Sequence, residues 1–306
     1  MQAMRLKPTL DSAIAQLTAA GTGSPRLNAE VLLMFTLGCD RAYLYAHAER
    51  ELSAEEQGRY QAALEERARG KPAQYITGHQ EFWGLDFLVS PAVLIPRPET
   101  EHVVETVVEL ARAPAFPAGP PRERPLKIVD VGTGSGCIAL ALAKELPGAE
   151  IVAVDISAAA LELARANAAR LQLEQRVSFL ESNLLAAFLP PAFLPPASSG
   201  GAAAEFDFIV SNPPYVGSSQ PEKVQREVRE FEPKVAVFAG ESGLEVYRQL
   251  IPQARERLAP GGWLVMEIGF SMEAAVRDLL TAWQEVRVTH DLQGIPRVVA
   301  AQFTAD

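Results

Sequence analysis

Asp130-Val131-Gly132-Thr133-Gly134-Ser135-Gly136 is the stretch on which the fold turns. Just before it, Lys127 to Val131 is a β-branched apolar run of strand length, and just after it Cys137 opens an Ala/Leu-rich helix. Glycines at 132, 134 and 136 let the chain turn tightly from strand to helix and let a ligand approach the backbone closely. The helix runs to about Leu146, and the alternation continues with a strand at Ile151 to Asp155, a helix from Ser157 to about Leu171 and a strand at Val177 to Leu180. Such alternation implies an α/β domain, a parallel sheet wrapped by helices. Phe206 to Val210 and Trp263 to Ile268 continue the sheet, and Val286 to Thr289 with Arg297 to Phe303 close it as an antiparallel hairpin.

The glycine spacing departs from the dinucleotide fingerprint, and no Lys-Ser/Thr follows to make a phosphate loop. Asp155 ends the second strand about 20 residues beyond the glycines, where its carboxylate can accept hydrogen bonds from both hydroxyls of a ribose. With no phosphate to cradle, an adenosyl ligand fits best, and S-adenosylmethionine is the expected cofactor. Cys137 at the helix start is either a reactive thiol or, more simply, a small packing residue.

The acceptor side is read from Asn212-Pro213-Pro214-Tyr215, which directly follows the strand at Phe206 to Val210. By itself this is also an ordinary turn sequence. Behind a donor site it reads differently. Each proline restricts the residue before it to extended conformations, so the tetrapeptide is a stiff ledge. The Asn212 side-chain oxygen and the Pro213 carbonyl can together accept both hydrogens of a planar amino group, while Tyr215 offers a ring to lie against it. Asn212 and Pro213 are therefore the expected catalytic residues, with Asn212 to Tyr215 the acceptor pocket.

The rest of the chain narrows the class. A length of 306 residues suggests about two domains, and the 48% hydrophobic content is ample for a sizeable core. Apolar stretches fall short of a membrane span and the first residues lack a signal-peptide hydrophobic region, so a soluble cytoplasmic protein is expected. Two cysteines and four scattered histidines give neither a disulfide framework nor metal-ligand spacing. The net charge of −10 argues against phosphate-backbone binding as the main activity. Residues 1–80 hold nine Lys/Arg and nine Asp/Glu, so the whole deficit lies downstream.

Residues 1–72 read as a small helical bundle with caps at Thr9, Ser24, Asp40 and a capping box of Ser53 with Glu56. Its expected core includes Leu10, Ile14, Leu17, Leu32, Leu33 and Phe35. Residues 73–95 turn aromatic and β-branched around glycines and read as a β-hairpin connector, leaving 96–306 for the α/β domain. The proline-rich segment 113–125 reads as an exposed loop, as does the insertion at 186–204, where Ala187-Phe188-Leu189-Pro190-Pro191 is repeated at once.

Taken together, these residues resemble the HemK/PrmC protein-(glutamine-N5) methyltransferases of peptide chain release factors. The likeness spans nearly the whole chain. It rests on Gln74 to Gly78, Glu81 to Leu85, Pro96-Arg97-Pro98-Glu99-Thr100-Glu101, Asp130 to Gly136, Asn212 to Tyr215, Glu232-Pro233 to Gly243-Leu244 and Gly294 to Val299. The resemblance implies a class I (Rossmann-like) S-adenosylmethionine methyltransferase domain and a helical domain that helps dock the release factor. The implied acceptor is the glutamine of a Gly-Gly-Gln tripeptide. It implies donor contacts from Gly132, Thr133, Gly134, Ser135, Gly136, Asp155 and Asn212, with Arg97 to Glu101 beside the donor. Asn183 and Leu184 occupy the positions near the adenine, where relatives commonly carry an acidic residue followed by an aromatic one.

Two rival readings stand beside this one. An adenine-N6 nucleic-acid methyltransferase makes the same hydrogen-bonding demands on Asn-Pro-Pro-Tyr, but needs basic surface and a base-flipping scaffold. A noncatalytic adenosyl-binding module leaves the intact acceptor ledge unexplained.

Overall fold

A computed structural model describes residues 4–113, 124–189, 206–219 and 224–304. The chain divides into two compact units, one running up to His79 and including Gln225–Phe231, the other made of Gln80–Val224 and Glu232–Asp306. The expected loops at 113–125 and 186–204 lie mostly outside the described residues, the second opening with a 3-10 turn at Ala186–Phe188.

In the first unit, α1 (Leu6–Ala19) buries Leu6, Leu10, Ala13 and Leu17 at helical spacing. They pack with Ala29, Leu32 and Leu33 of α2 (Pro25–Leu37), Leu44 of α3 (Arg41–Ala46), and Tyr60 and Leu64 of α4 (Ala54–Ala68). Asp40 caps α3 by accepting from Tyr43 N at 2.7 Å, and Ser53 and Glu56 form the expected capping box. Ser24 precedes α2 as expected, but with φ +48° and without a side-chain cap bond. Thr9 is not a cap: α1 begins earlier, and the Thr9 hydroxyl donates to Arg5 O inside the helix. Phe35 is half exposed, at 51%, because the buried stripe of α2 is Ala29, Leu32, Leu33 and Thr36.

The segment expected as a hairpin from Gln74 begins instead as a short helix, α5 (Ala73–Thr77), closed by Gly78 at φ +78°. The ribbon itself is β1 (His79–Phe82) and β2 (Leu85–Leu88), turned by Trp83 and Gly84, both at positive φ. After it the chain passes Pro96 and a 3-10 turn, Pro98–Thr100, into α6 (Glu101–Arg112).

The α/β layers follow in the expected alternation: β3 (Lys127–Val131), α7 (Cys137–Glu145), β4 (Glu150–Asp155), α8 (Ala158–Arg170), β5 (Val177–Glu181) and β6 (Phe206–Ser211). The short helix α9 (Arg226–Phe231) belongs to the first unit, where the Arg67 guanidinium donates to Glu227 at 2.5 Å. Then come α10 (Lys234–Val237), α11 (Glu245–Arg255), β7 (Leu258–Glu267), α12 (Glu273–Leu279), β8 (Gln284–His290) and β9 (Pro296–Gln302).

The seven-stranded sheet has the order β5-β4-β3-β6-β7-β9-β8. β3 to β7 are parallel, while β9 runs antiparallel to both its neighbours, as the closing hairpin requires. Alternate residues feed two cores. Ile128, Phe208, Val210 and Val265 face α6 and α7, whereas Val129, Val131, Ile209, Leu264 and Met266 face α11 and α12. The order of strand addition reverses at β3, with β4 on one side and β6 on the other, which opens a crevice at the carboxyl ends of these parallel strands.

Candidate active site

At the end of β3, Gly132, Gly134 and Gly136 adopt φ values of +74°, +56° and +84°. L side chains are strained there, so glycine is required for the turn itself. The amides of Gly132 and Thr133 donate to Val154 O at 2.8 and 2.9 Å, pinning the turn to β4. Asp155 finishes the clamp, accepting Gly134 N on one carboxylate oxygen and Ser157 N on the other, both at 2.9 Å. A Cβ at Gly132 or Gly134 would meet nothing within 4 Å, so their bare backbone faces open space. Gly136 differs, since a Cβ there would lie 3.2 Å from Leu140 and 3.3 Å from Ala164. It serves the packing of α7 against α8.

Asp130 is fully buried beneath this turn, with one oxygen accepting Thr133 Oγ1 at 2.6 Å and Ala139 N at 3.2 Å, and the other without a partner among the described residues. Burial pushes its carboxyl up to about 7. Cys137 is buried and its thiol is pushed up to about 12 by burial, so it packs as a neutral side chain rather than serving as a thiolate nucleophile.

These backbone turns wall a cavity of about 350 Å³. Gly132, Thr133, Gly134, Ser135 and Asp155 line it, joined by Asn183 and Leu184 after β5 and by Asn212 and Pro214 after β6. Leu184 holds a positive φ of +50°, and Ile156 beside Asp155 is 53% exposed. The lining also includes Pro96 and Thr100, whereas Arg97 donates to Glu232 at 2.5 Å, Glu99 lies 3.6 Å from Arg297, and Glu101 accepts Trp83 N. Of the Arg97 to Glu101 run expected beside the donor, Thr100 therefore reaches the cavity. Gly136, Pro213 and Tyr215 do not line it.

The acceptor ledge is held from several sides. Ser211 Oγ donates to Val131 O at 2.7 Å, Val216 N donates to Val237 O at 3.1 Å, and Ala239 N donates to Val216 O at 3.0 Å. Asn212 Nδ2 donates to Thr100 Oγ1 at 3.0 Å, and Thr100 Oγ1 in turn donates to Glu267 Oε2 at 2.5 Å. Tyr215 OH donates to the other oxygen of Glu267 at 3.2 Å, and Tyr247 OH to its backbone carbonyl at 2.8 Å. Glu267 is 3% exposed. Its burial pushes the carboxyl up to about 7, against the hydrogen bonds from Thr100 and Tyr215, which lower it. The Glu267 charge, followed by burial, raises the Tyr215 hydroxyl well above its ordinary range, so Tyr215 stays a neutral phenol.

Sequence reasoning did not find Glu267 or Asn167. The one signal for Glu267 was a lone acid closing the apolar run Trp263 to Ile268. Asn167, fully buried in α8, accepts Leu88 N and donates to Leu88 O and Ser135 O, tying β2 to the glycine turn.

Known proteins resemble both parts of the chain. A model of the PrmC N-terminal domain matches residues 9–78, and one of the methyltransferase small domain matches residues 121–229. A release factor glutamine methyltransferase of Koribacter versatilis is 54% identical, covering 98% of this chain and 99% of that protein. Relatives of the same name from Bradyrhizobium diazoefficiens and Geobacter sulfurreducens are 43% and 40% identical, over 94% and 97% of this chain and 91% and 96% of theirs. Among solved structures, the catalytic domain of hMettl16 superposes with a TM-score of 0.53 at 18% identity, covering 84% of this chain and 86% of that one. Human methyltransferase 10 domain containing protein gives 0.50 at 18% identity, with coverages of 73% and 90%. The structural likeness establishes a class I methyltransferase fold. Near-complete coverage by relatives that share up to 54% of their residues establishes more: the chain belongs to the release factor glutamine methyltransferase family.

Proposed function

We propose that the protein transfers a methyl group from S-adenosylmethionine to the side-chain nitrogen of the glutamine in the Gly-Gly-Gln motif of peptide chain release factors. The observation that carries this reading is the tethering of Asn212. Its Nδ2 is committed to Thr100, which leaves Oδ1 as a fixed acceptor at the wall of a glycine-lined cavity.

The donor side fits an adenosyl ligand. Open space over Gly132 and Gly134 lets a ligand meet bare backbone, and Asp155 keeps carboxylate lone pairs beyond the two it gives to the turn. Ile156 and Leu184 supply apolar surface beside it. Gly132 to Ser135, Asp155, Asn183, Leu184 and Asn212 are the assigned donor contacts, with Gly136 supporting them through packing. S-adenosylmethionine, when bound, supplies an electrophilic sulfonium methyl.

The acceptor amide is a poor nucleophile because its nitrogen lone pair is delocalised into the carbonyl. In this reading Asn212 Oδ1 and the Pro213 carbonyl accept its two N–H groups. That contact orients the lone pair and stabilises the positive charge that develops as the new N–C bond forms, an effect of preorganised dipoles. Pro214 and Tyr215 complete the pocket. Tyr215 stays protonated and so is no base; in this reading the proton leaves the nitrogen to solvent.

The match of residues 9–78 to the PrmC N-terminal domain supports release-factor docking as the role of the helical unit. A release-factor substrate carries with it a cytoplasmic location. No helix among the described residues is long and apolar enough to cross a membrane.

The experiment is Asn212→Ala assayed with a Gly-Gly-Gln peptide. Turnover falls by about 10²-fold or more, the scale of losing one such polar group. Wild-type turnover in the variant would remove Asn212 from the mechanism.

A further inference from the structure

We infer that Glu267 is a positioning residue for methyl transfer: through Thr100 it dictates which end of the Asn212 amide faces the acceptor. The inference rests on the glutamine reading above and deepens it.

Hydrogen-bond polarity links the three side chains. A hydroxyl has a single proton. Thr100 gives its proton to Glu267 Oε2 at 2.5 Å, so it presents only lone pairs to Asn212. The Asn212 amide must then turn Nδ2 toward Thr100, where it is found at 3.0 Å, and Oδ1 is left for an incoming N–H. Were Thr100 free to donate toward Asn212, the amide could flip and present an NH₂ to another NH₂, a repulsive pairing. An ionised carboxylate accepts only, so in its ionised form, above the value of about 7 to which burial raises it, Glu267 fixes the direction of the whole chain of hydrogen bonds. It does the same for Tyr215, whose hydroxyl must point at Glu267 Oε1 rather than elsewhere.

A purely structural role does not explain an acid here. Glu267 is 3% exposed at the end of β7, and no ion pair to it is found among the described residues. The nearby Arg297 is engaged by Asp291 at 2.8 Å and lies 3.6 Å from Glu99. A buried carboxylate held by hydroxyls alone carries a desolvation cost that an amide or apolar side chain of similar size would avoid. The return on that cost is directionality at Asn212.

The test is Glu267→Gln, assayed in the full chain with S-adenosylmethionine and a Gly-Gly-Gln peptide, beside Asn212→Ala and the double variant. The introduced amide fills the same volume as the carboxylate but can donate, so the hydrogen-bond relay loses its fixed direction. The expected result is a kcat about 10-fold lower or more, the scale of a misplaced catalytic contact, with the peptide KM nearly unchanged and the melting temperature not lowered. Because Glu267 acts through Asn212, the double variant is no slower than Asn212→Ala by itself.

If Glu267→Gln does not fold, Thr100→Val breaks the same link, and Thr100→Ser, which keeps the hydroxyl, recovers turnover relative to Thr100→Val. Wild-type kcat in Glu267→Gln, multiplicative losses in the double variant, or equal turnover of the two Thr100 variants overturns the inference. No transfer to the peptide by the wild-type protein overturns the glutamine reading itself, a result separate from all of these.

Discussion

Gly269 leaves no room for a side chain: a Cβ there would lie 2.8 Å from Tyr215 Cδ2 and 2.8 Å from Met272 Sδ. The glycine lets the ring of Tyr215 settle close to the end of β7, where its hydroxyl reaches Glu267. Gly269→Ala therefore displaces Tyr215, and steady-state kinetics should show a several-fold higher KM for the glutamine acceptor while donor affinity, measured by calorimetry, holds. An unchanged acceptor KM would mean that Tyr215 does not form the pocket wall. At this scale the sequence was informative where chemistry is written in local spacing. Local spacing marked out the glycines of the turn, Asp155 and the Asn212 ledge as candidates, and the structure brings Gly132, Gly134, Asp155, Asn212 and Pro214 to one cavity while Gly136, Pro213 and Tyr215 stay off it. Glu267 and Thr100 were not legible as a pair, because their meeting depends on two segments 167 residues apart.

At the scale of elements, the strands of the sheet were readable to within one or two residues from their apolar runs, except β7, which begins well before the expected Trp263, at Leu258, and the caps of α3 and α4 were readable from single residues with a local mechanism. The misreadings have physical causes. Thr9 is a good cap type, yet Arg5 in extended conformation starts α1 earlier and Leu6 is already needed in the core. Ala73–Thr77 carries β-formers, but Pro72 at its start and Gly78 at its end let one helical turn form. Asn167 joins elements that no local pattern connects. Asn167→Ala strands the amide and carbonyl of Leu88 and the carbonyl of Ser135, costing about 2–4 kcal/mol for buried groups left unpaired. Urea unfolding measures it, and a loss below about 1 kcal/mol would show that water replaces the side chain.

At the scale of the whole molecule, the order β5-β4-β3-β6-β7-β9-β8 could not be read from the chain, since periodicity says which segments are strands and not which lie side by side. The inclusion of Gln225–Phe231 in the helical unit was equally hidden. The fold also sets the pH response, by burying two carboxyls. Asp130 is raised from 3.8 to about 7 and Glu267 from 4.5 to about 7, in both cases first by burial. A raised folded-state value favours the fold fully below the unfolded value and loses that contribution as pH rises through the folded value. Stability from these groups therefore declines between about pH 4 and pH 7. Asp130→Asn should flatten the fall in melting temperature over that window, and an unaltered slope would mean that Asp130 is not buried as its carboxyl.

The central claim is that this fold carries methyl from S-adenosylmethionine to a glutamine side chain. The most direct measurement is transfer of labelled methyl to purified release factor, with a Gly-Gly-Gln to Gly-Gly-Ala factor and adenine-containing DNA as parallel acceptors. The account predicts label on the wild-type factor alone, mapping to the glutamine of the tripeptide. Label on the DNA, or on the Gly-Gly-Ala factor, would contradict it.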